Sequence, residues 1–163
     1  MFCKRLGLIL LLWGLFVIPL PAAMVSFLII EDGLKPDAQS GHYSAVWEDS
    51  LMGVFFDAGH IVSNSPVLRV EQLSVTEFPA EARVDYTDAS SGGADFFVLA
   101  VLDFNTEDRR TRPKSVTIKI FTTESRNLIF QQEFPAGNGV NAQDEYSRAQ
   151  DIGRYIAAQL RDR

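Results

Sequence analysis

Two hydrophobic periods alternate along the chain. In some stretches apolar residues recur every three or four positions, in others every second position. That alternation predicts helices interleaved with strands. The first strand is Val25-Ser-Phe-Leu-Ile-Ile30, β-branched and aromatic, stopped by Asp32-Gly33. From Tyr43 the apolar positions are Trp47, Leu51, Val54, Phe55 and Ala58, one face of a helix, with Gly59 as its C-terminal stop. Ser63-Asn-Ser-Pro66 reads as a turn and Val67 to Val75 as a half-buried strand. Pro79 opens a second, weaker helix that ends before Gly92-Gly93.

The second half is richer in strands. Ala94 to Leu102 is nearly all apolar, which predicts a central strand covered on both faces. Val116, Ile118 and Ile120 alternate with Thr117 and Lys119, and Leu128, Phe130 and Phe134 continue the pattern after a turn at Glu124 to Asn127. Tyr146, Ala149, Ile152, Ile156 and Leu160 then mark a terminal amphipathic helix. The expected fold class is α/β: a single layer of mixed, mostly antiparallel strands with helices packed on one face. Trp47, Phe55, Leu99 and Ile156 are expected in the core.

The segment before the first strand gives an address. Lys4 and Arg5 precede Leu6 to Leu20, an uncharged and Leu-rich run, followed by Pro21-Ala22-Ala23. A basic start, an apolar centre and a small-residue end make a secretory signal peptide, so residues 1–23 are read as a leader cut between Ala23 and Met24. The remaining residues, 24–163, form one domain. The alternative is a retained anchor, because no charge lies between Arg5 and Glu31. Pro19 and Pro21 oppose that by breaking the helix near its outer end. The single cysteine, Cys3, lies before the apolar run, where it cannot accept a lipid.

Charge narrows the function classes. Of 15 basic residues, loss of Lys4 and Arg5 leaves 13 against 21 acidic, a net charge of −8 for the exported form. Such a chain has no electrostatic footprint for nucleic acid. Without Cys3 it also has neither disulfides nor thiol chemistry. Contact with a membrane is expected only if the N-terminal segment stays attached.

Three constellations could carry chemistry. Gly137-Asn-Gly139-Val-Asn-Ala142 matches a dinucleotide-binding fingerprint, but that motif needs a second strand some 20 residues on, and the sequence stops at Arg163. It reads as a loop. His42 and His60 flank the first helix, about 25 Å apart over its length, so they cannot share a metal. His60 at a helix C-terminus complements the helix dipole. The charged loop Asn105 to Lys114 carries Arg109, Arg110 and Arg112 in an otherwise acidic protein. It is either a docking site for an anionic partner or a solvated hairpin tip whose Glu107 and Asp108 offset the arginines. No catalytic residue, metal site or cofactor is expected, and the chain is not expected to be an enzyme.

The order of elements carries a resemblance. Strand, amphipathic helix and the run Ala58-Gly-His-Ile-Val62 are followed by a second helix, Gly92-Gly93-Ala94-Asp95 and an apolar strand, then a hairpin and a last helix. This is similar to the α/β domain shared by the curli secretion lipoprotein, the penicillin-binding-protein activator lipoproteins and the amino-terminal domain of the Tol translocation protein. The sequence departs from the lipoprotein members in lacking a lipid-acceptor cysteine. The resemblance implies a periplasmic or secreted, non-catalytic module that binds or assembles envelope proteins. An inner-membrane-anchored form with the domain outside the cytoplasm is the alternative. Two rival functions stay open. A carrier of a small hydrophobic ligand or lipid would use Phe55, Phe56, Phe96, Phe97 and Phe104 to line a cavity. An envelope hydrolase would need convergent polar groups.

Overall fold

In the computed structural model of the protein the described residues are 22–35, 43–104, 112–136 and 142–161. Strand β1 spans Met24–Asp32 and is followed by helix α1, Tyr43–Asp57, then strands β2, Ile61–Asn64, and β3, Leu68–Val70. A 3-10 turn at Ala80–Ala82 leads into helix α2, Arg83–Ser91. Strands β4 (Phe96–Asp103), β5 (Ser115–Thr122) and β6 (Leu128–Pro135) follow, and helix α3, Ala142–Arg161, comes last.

These strands form one mixed sheet in the order β2-β1-β4-β5-β6, with β3 also beside β1. β2 pairs with Met24 to Phe27 and β3 with Ile30 to Asp32, so the two short strands share one edge of β1. Both run parallel to β1, as does β4 along the other edge. β5 is antiparallel to β4 and to β6.

The α/β class and the mixed sheet are as expected from the sequence, but two details differ. Parallel pairing is more extensive than expected, because a helix separates β1 from β2 and another separates β3 from β4. A strand–helix–strand connection crosses over and returns in the same direction, whereas β5 and β6, joined by a short turn after Thr122, pair antiparallel. The helices also lie on both faces of the sheet. Val25, Phe27 and Ile29 join Val98, Ala100 and Leu102 under α1 and α3. Leu28 and Ile30 join Phe97, Leu99 and Val101 under Ala82, Tyr86 and Ala89 of the 3-10 turn and α2. Because β1 and β4 are apolar at successive positions, each face needs a cover.

The strand expected over Val67 to Val75 shrinks to Leu68–Val70. The amides of Gly33 and Leu34 both donate to the Val70 carbonyl (2.9 and 3.1 Å), and the Asp32 carboxylate takes the Leu73 amide at 2.8 Å, turning the chain away. Conversely, Ser63 and Asn64, expected in a turn, belong to β2, and the amide of Ser65 still donates to the Phe27 carbonyl of β1 at 2.9 Å. Trp47, Phe55, Leu99 and Ile156 are all fully buried.

Candidate functional site

The sequence-derived candidates are scattered. Residues 137–141 and His42 lie outside the described residues, and Ala142 is simply the first residue of α3. His60 is half-buried beyond the end of α1, with its ring centroid 5.7 Å from that of Phe55 and its amide donating to the Phe55 carbonyl at 3.1 Å. That is the packing of a helix terminus. Among the described residues no three His, Cys, Asp or Glu side chains come together as a metal site.

The arginine loop is the candidate with a defined foundation. Asp103 and Ser115 are the last paired residues of β4 and β5, so the segment between them is a hairpin connection, as its sequence predicted. Lys114 donates its amide to the Asp103 carbonyl at 2.6 Å, and Phe104 donates its own to the Asp32 carbonyl at 2.8 Å. Phe104 is itself buried in the larger core, and Pro113 is buried beside the exposed Arg112. Both ends of the connection are therefore fixed to the sheet. Arg109 and Arg110 lie outside the described residues.

The same end of the sheet holds a feature the sequence did not announce. Glu31, one residue before the end of β1, is fully buried, and its Oε2 accepts from Arg69 Nε of β3 at 2.5 Å. Arg69 keeps a third of its side-chain surface exposed, so the pair bridges core and solvent. Glu31 Oε1 is buried and has no hydrogen-bond partner among the described residues. Burying a carboxylate costs several kcal/mol unless an opposite charge meets it, so the chemistry of this pair is structural: it fixes β3 to the end of β1. At sequence level Glu31 lies just past the strand read as Val25 to Ile30, and nothing in an apolar run ending in Glu-Asp tells which carboxylate turns inward.

On the α1/α3 face a shallow depression of about 340 Å3 is lined by Val54, Asp57, Ala58, Arg154, Ala157 and Ala158. Arg154 is engaged along its own helix with Asp151 at 2.6 Å. Exposed Phe56 and Ile61 lie at the C-terminal end of α1 and on edge strand β2. The phenylalanines considered for a ligand cavity go elsewhere. Phe55, Phe97 and Phe104 are buried in the two cores, Phe96 packs against one of them, and Phe56 faces solvent.

By sequence, no family model and no curated protein matches the chain. Among solved structures it is similar to a PelC dodecamer from Paraburkholderia phytofirmans, at 10% identity and a TM-score of 0.48, over 86% of this chain and 88% of that one. Lipoprotein GNA1162 from Neisseria meningitidis is similar at 12% identity and a TM-score of 0.45, over 88% and 100% of the two chains. TolB from Acinetobacter baumannii is similar at 13% identity and a TM-score of 0.38, over 86% of this chain and 28% of that one. At these identities the likeness concerns the path of the backbone and not an activity.

Proposed function

We propose that the protein is an exported, non-catalytic envelope module that binds another protein through the hairpin carrying Arg109, Arg110 and Arg112. One observation carries this reading: the basic connection leaves the sheet from two anchored ends, with Lys114 bonded to Asp103 and Phe104 to Asp32. A rigid base presents charge at low entropic cost, which favours recognition of an acidic surface. The packing of Phe55, Phe97 and Phe104 into the cores supports this reading over a lipid carrier. The leader in residues 1–23 supplies export.

The test is photo-crosslinking in the native envelope from a probe placed at the exposed position 114, in an otherwise wild-type chain and in a variant with Arg109, Arg110 and Arg112 changed to alanine. The expected result is a discrete adduct whose yield falls several-fold in the variant. The wild-type yield should also fall as salt rises, because charges are screened beyond about 10 Å at 0.1 M. An adduct of unchanged yield in the variant would overturn the docking role. A protein recovered entirely inside the cytoplasm would overturn the export role.

A further inference from the structure

We propose that Asp95 is the acceptor for the new α-ammonium group created when the leader is cut between Ala23 and Met24. This rests on the export reading and deepens it by assigning a residue to the processed terminus. The Met24 amide donates to Asp95 Oδ2 at 2.8 Å, and the Asp95 amide donates back to the Met24 carbonyl at 2.7 Å. Residue 24 is thus clamped at both its backbone groups by one residue 71 positions away.

The clamp is itself held. Gly93, at φ +83°, reverses the chain after α2 in a left-handed conformation that favours glycine. The Ala94 amide then closes on the Ala89 carbonyl at 3.0 Å. Thr123 donates its amide to the Asp95 carbonyl at 3.0 Å and its hydroxyl to the Ala94 carbonyl. Asp95 therefore reaches Met24 from a backbone fixed on two sides, while its carboxylate stays exposed.

Leader removal is a hydrolysis. Water adds across the Ala23–Met24 amide, the C–N bond breaks, Ala23 departs as a carboxylate, and the Met24 nitrogen is left as an amine that takes up a proton. The group that donated one proton to Asp95 as an amide then faces it as a cation. A bond from a neutral donor to the carboxylate becomes an ion pair at the same place. On the departing side the Ala23 carbonyl accepts from the Ile61 amide at 3.0 Å. Ile61 lies on edge strand β2 and is more than half exposed, so water can take that place.

The experiment has two readouts on the protein exported from cells expressing the full chain. Intact mass should give a chain beginning at Met24. The exported protein should then be acetylated at pH 7 with a limiting amine reagent, in wild type and in Asp95→Asn. That variant keeps the backbone bonds and an oxygen acceptor but loses the charge, and a thermal melt checks that it is folded. The Met24 amine should react about two- to five-fold faster in the variant, as expected for loss of one exposed ion pair. Equal rates would overturn the role of Asp95. An exported chain beginning elsewhere, or one held in the membrane with Met1 retained, would overturn the processing site. A chain confined to the cytoplasm would instead overturn the export reading beneath it.

Discussion

Trp47 Nε1 donates a hydrogen bond of 2.7 Å to Glu145 Oε1, joining α1 to the first turn of α3 across 98 residues of sequence. Trp47 is fully buried and Glu145 nearly so. The pair sets where α3 begins its course over α1, and Gly153 fixes the approach further along. A Cβ on Gly153 would stand 3.3 Å from Val54 Cβ, so the helices cross at a distance that a larger residue would widen.

Truncating Glu145 to alanine should leave the buried indole N–H without its acceptor. A buried donor left unmade costs about 1–3 kcal/mol. Urea unfolding of Glu145→Ala should show that loss with an unchanged slope. Trp47→Phe in the same background should then cost less than Trp47→Phe alone, because the carboxylate it would orphan is already gone. Independent, additive losses would show that the bond contributes nothing.

The Glu31–Arg69 pair makes a sharper prediction. Arg69→Met removes the charge that offsets a fully buried carboxylate, and such a loss costs about 3–5 kcal/mol. Adding Glu31→Leu should recover most of it, since a matched apolar pair carries no desolvation penalty. Equilibrium unfolding of the two variants checks this. If the double variant is no more stable than Arg69→Met, then Arg69 supports β3 through its own packing rather than through Glu31.

Much of this fold was legible from residue pattern, and the illegible parts share a cause. The buried face of α1 follows directly from Trp47, Leu51, Val54 and Phe55, and the double-sided burial of β4 from its unbroken apolar run. Pattern within a segment says what is buried but not against what. The side taken by α2 was therefore hidden: only Tyr86 and Ala89 are buried in it, too short a stripe to set against the stronger faces of α1 and α3. Polar contacts between distant segments were hidden for the same reason. Nothing local marks Glu145 as the partner of Trp47, or Asp95 as the partner of Met24. The hairpin that carries the arginines was legible because β4 and β5 are adjacent in sequence as well as in space.

Acid should loosen the segment that enters α2. Ser74 donates its hydroxyl to Glu81 at 2.7 Å and accepts from the Ala80 amide at 3.1 Å, tying the loop to the 3-10 turn. The Ser74 hydroxyl, then Glu81's own amide, holds the Glu81 carboxyl below its ordinary value of 4.5. A carboxylate of lowered pKa stabilises the fold above its unfolded pKa, and that contribution is lost as pH falls through the folded value. The melting temperature of Ser74→Ala should fall below wild type at pH 7, and the gap should narrow below pH 4.5. It should not close, because the Ala80 amide bond does not titrate. A gap independent of pH would show that Glu81 takes no part.

The last prediction sets backbone strain against a side-chain contact at one residue. Arg126, in the turn between β5 and β6, has φ +53°, the one non-glycine residue with positive φ among those described. For an L-residue this conformation costs roughly 1–2 kcal/mol. Its guanidinium carbon lies 5.1 Å from the Phe78 ring centroid and 4.7 Å from that of Tyr86, and its amide donates to the Thr122 carbonyl at 3.0 Å. An exposed cation over an aromatic face is worth about 0.5–1 kcal/mol, and here one cation serves two rings. The two terms nearly cancel, which gives an order of stabilities rather than a single number. Arg126→Gly should lie within about 1 kcal/mol of wild type, because it loses the contact and relieves the strain. Arg126→Ala should be the least stable of the three, since it keeps the strain and loses the contact. Thermal melts of the three proteins at low salt decide the order. If alanine matches wild type while glycine exceeds both, the rings gain nothing from the guanidinium, and the turn simply bears its strain.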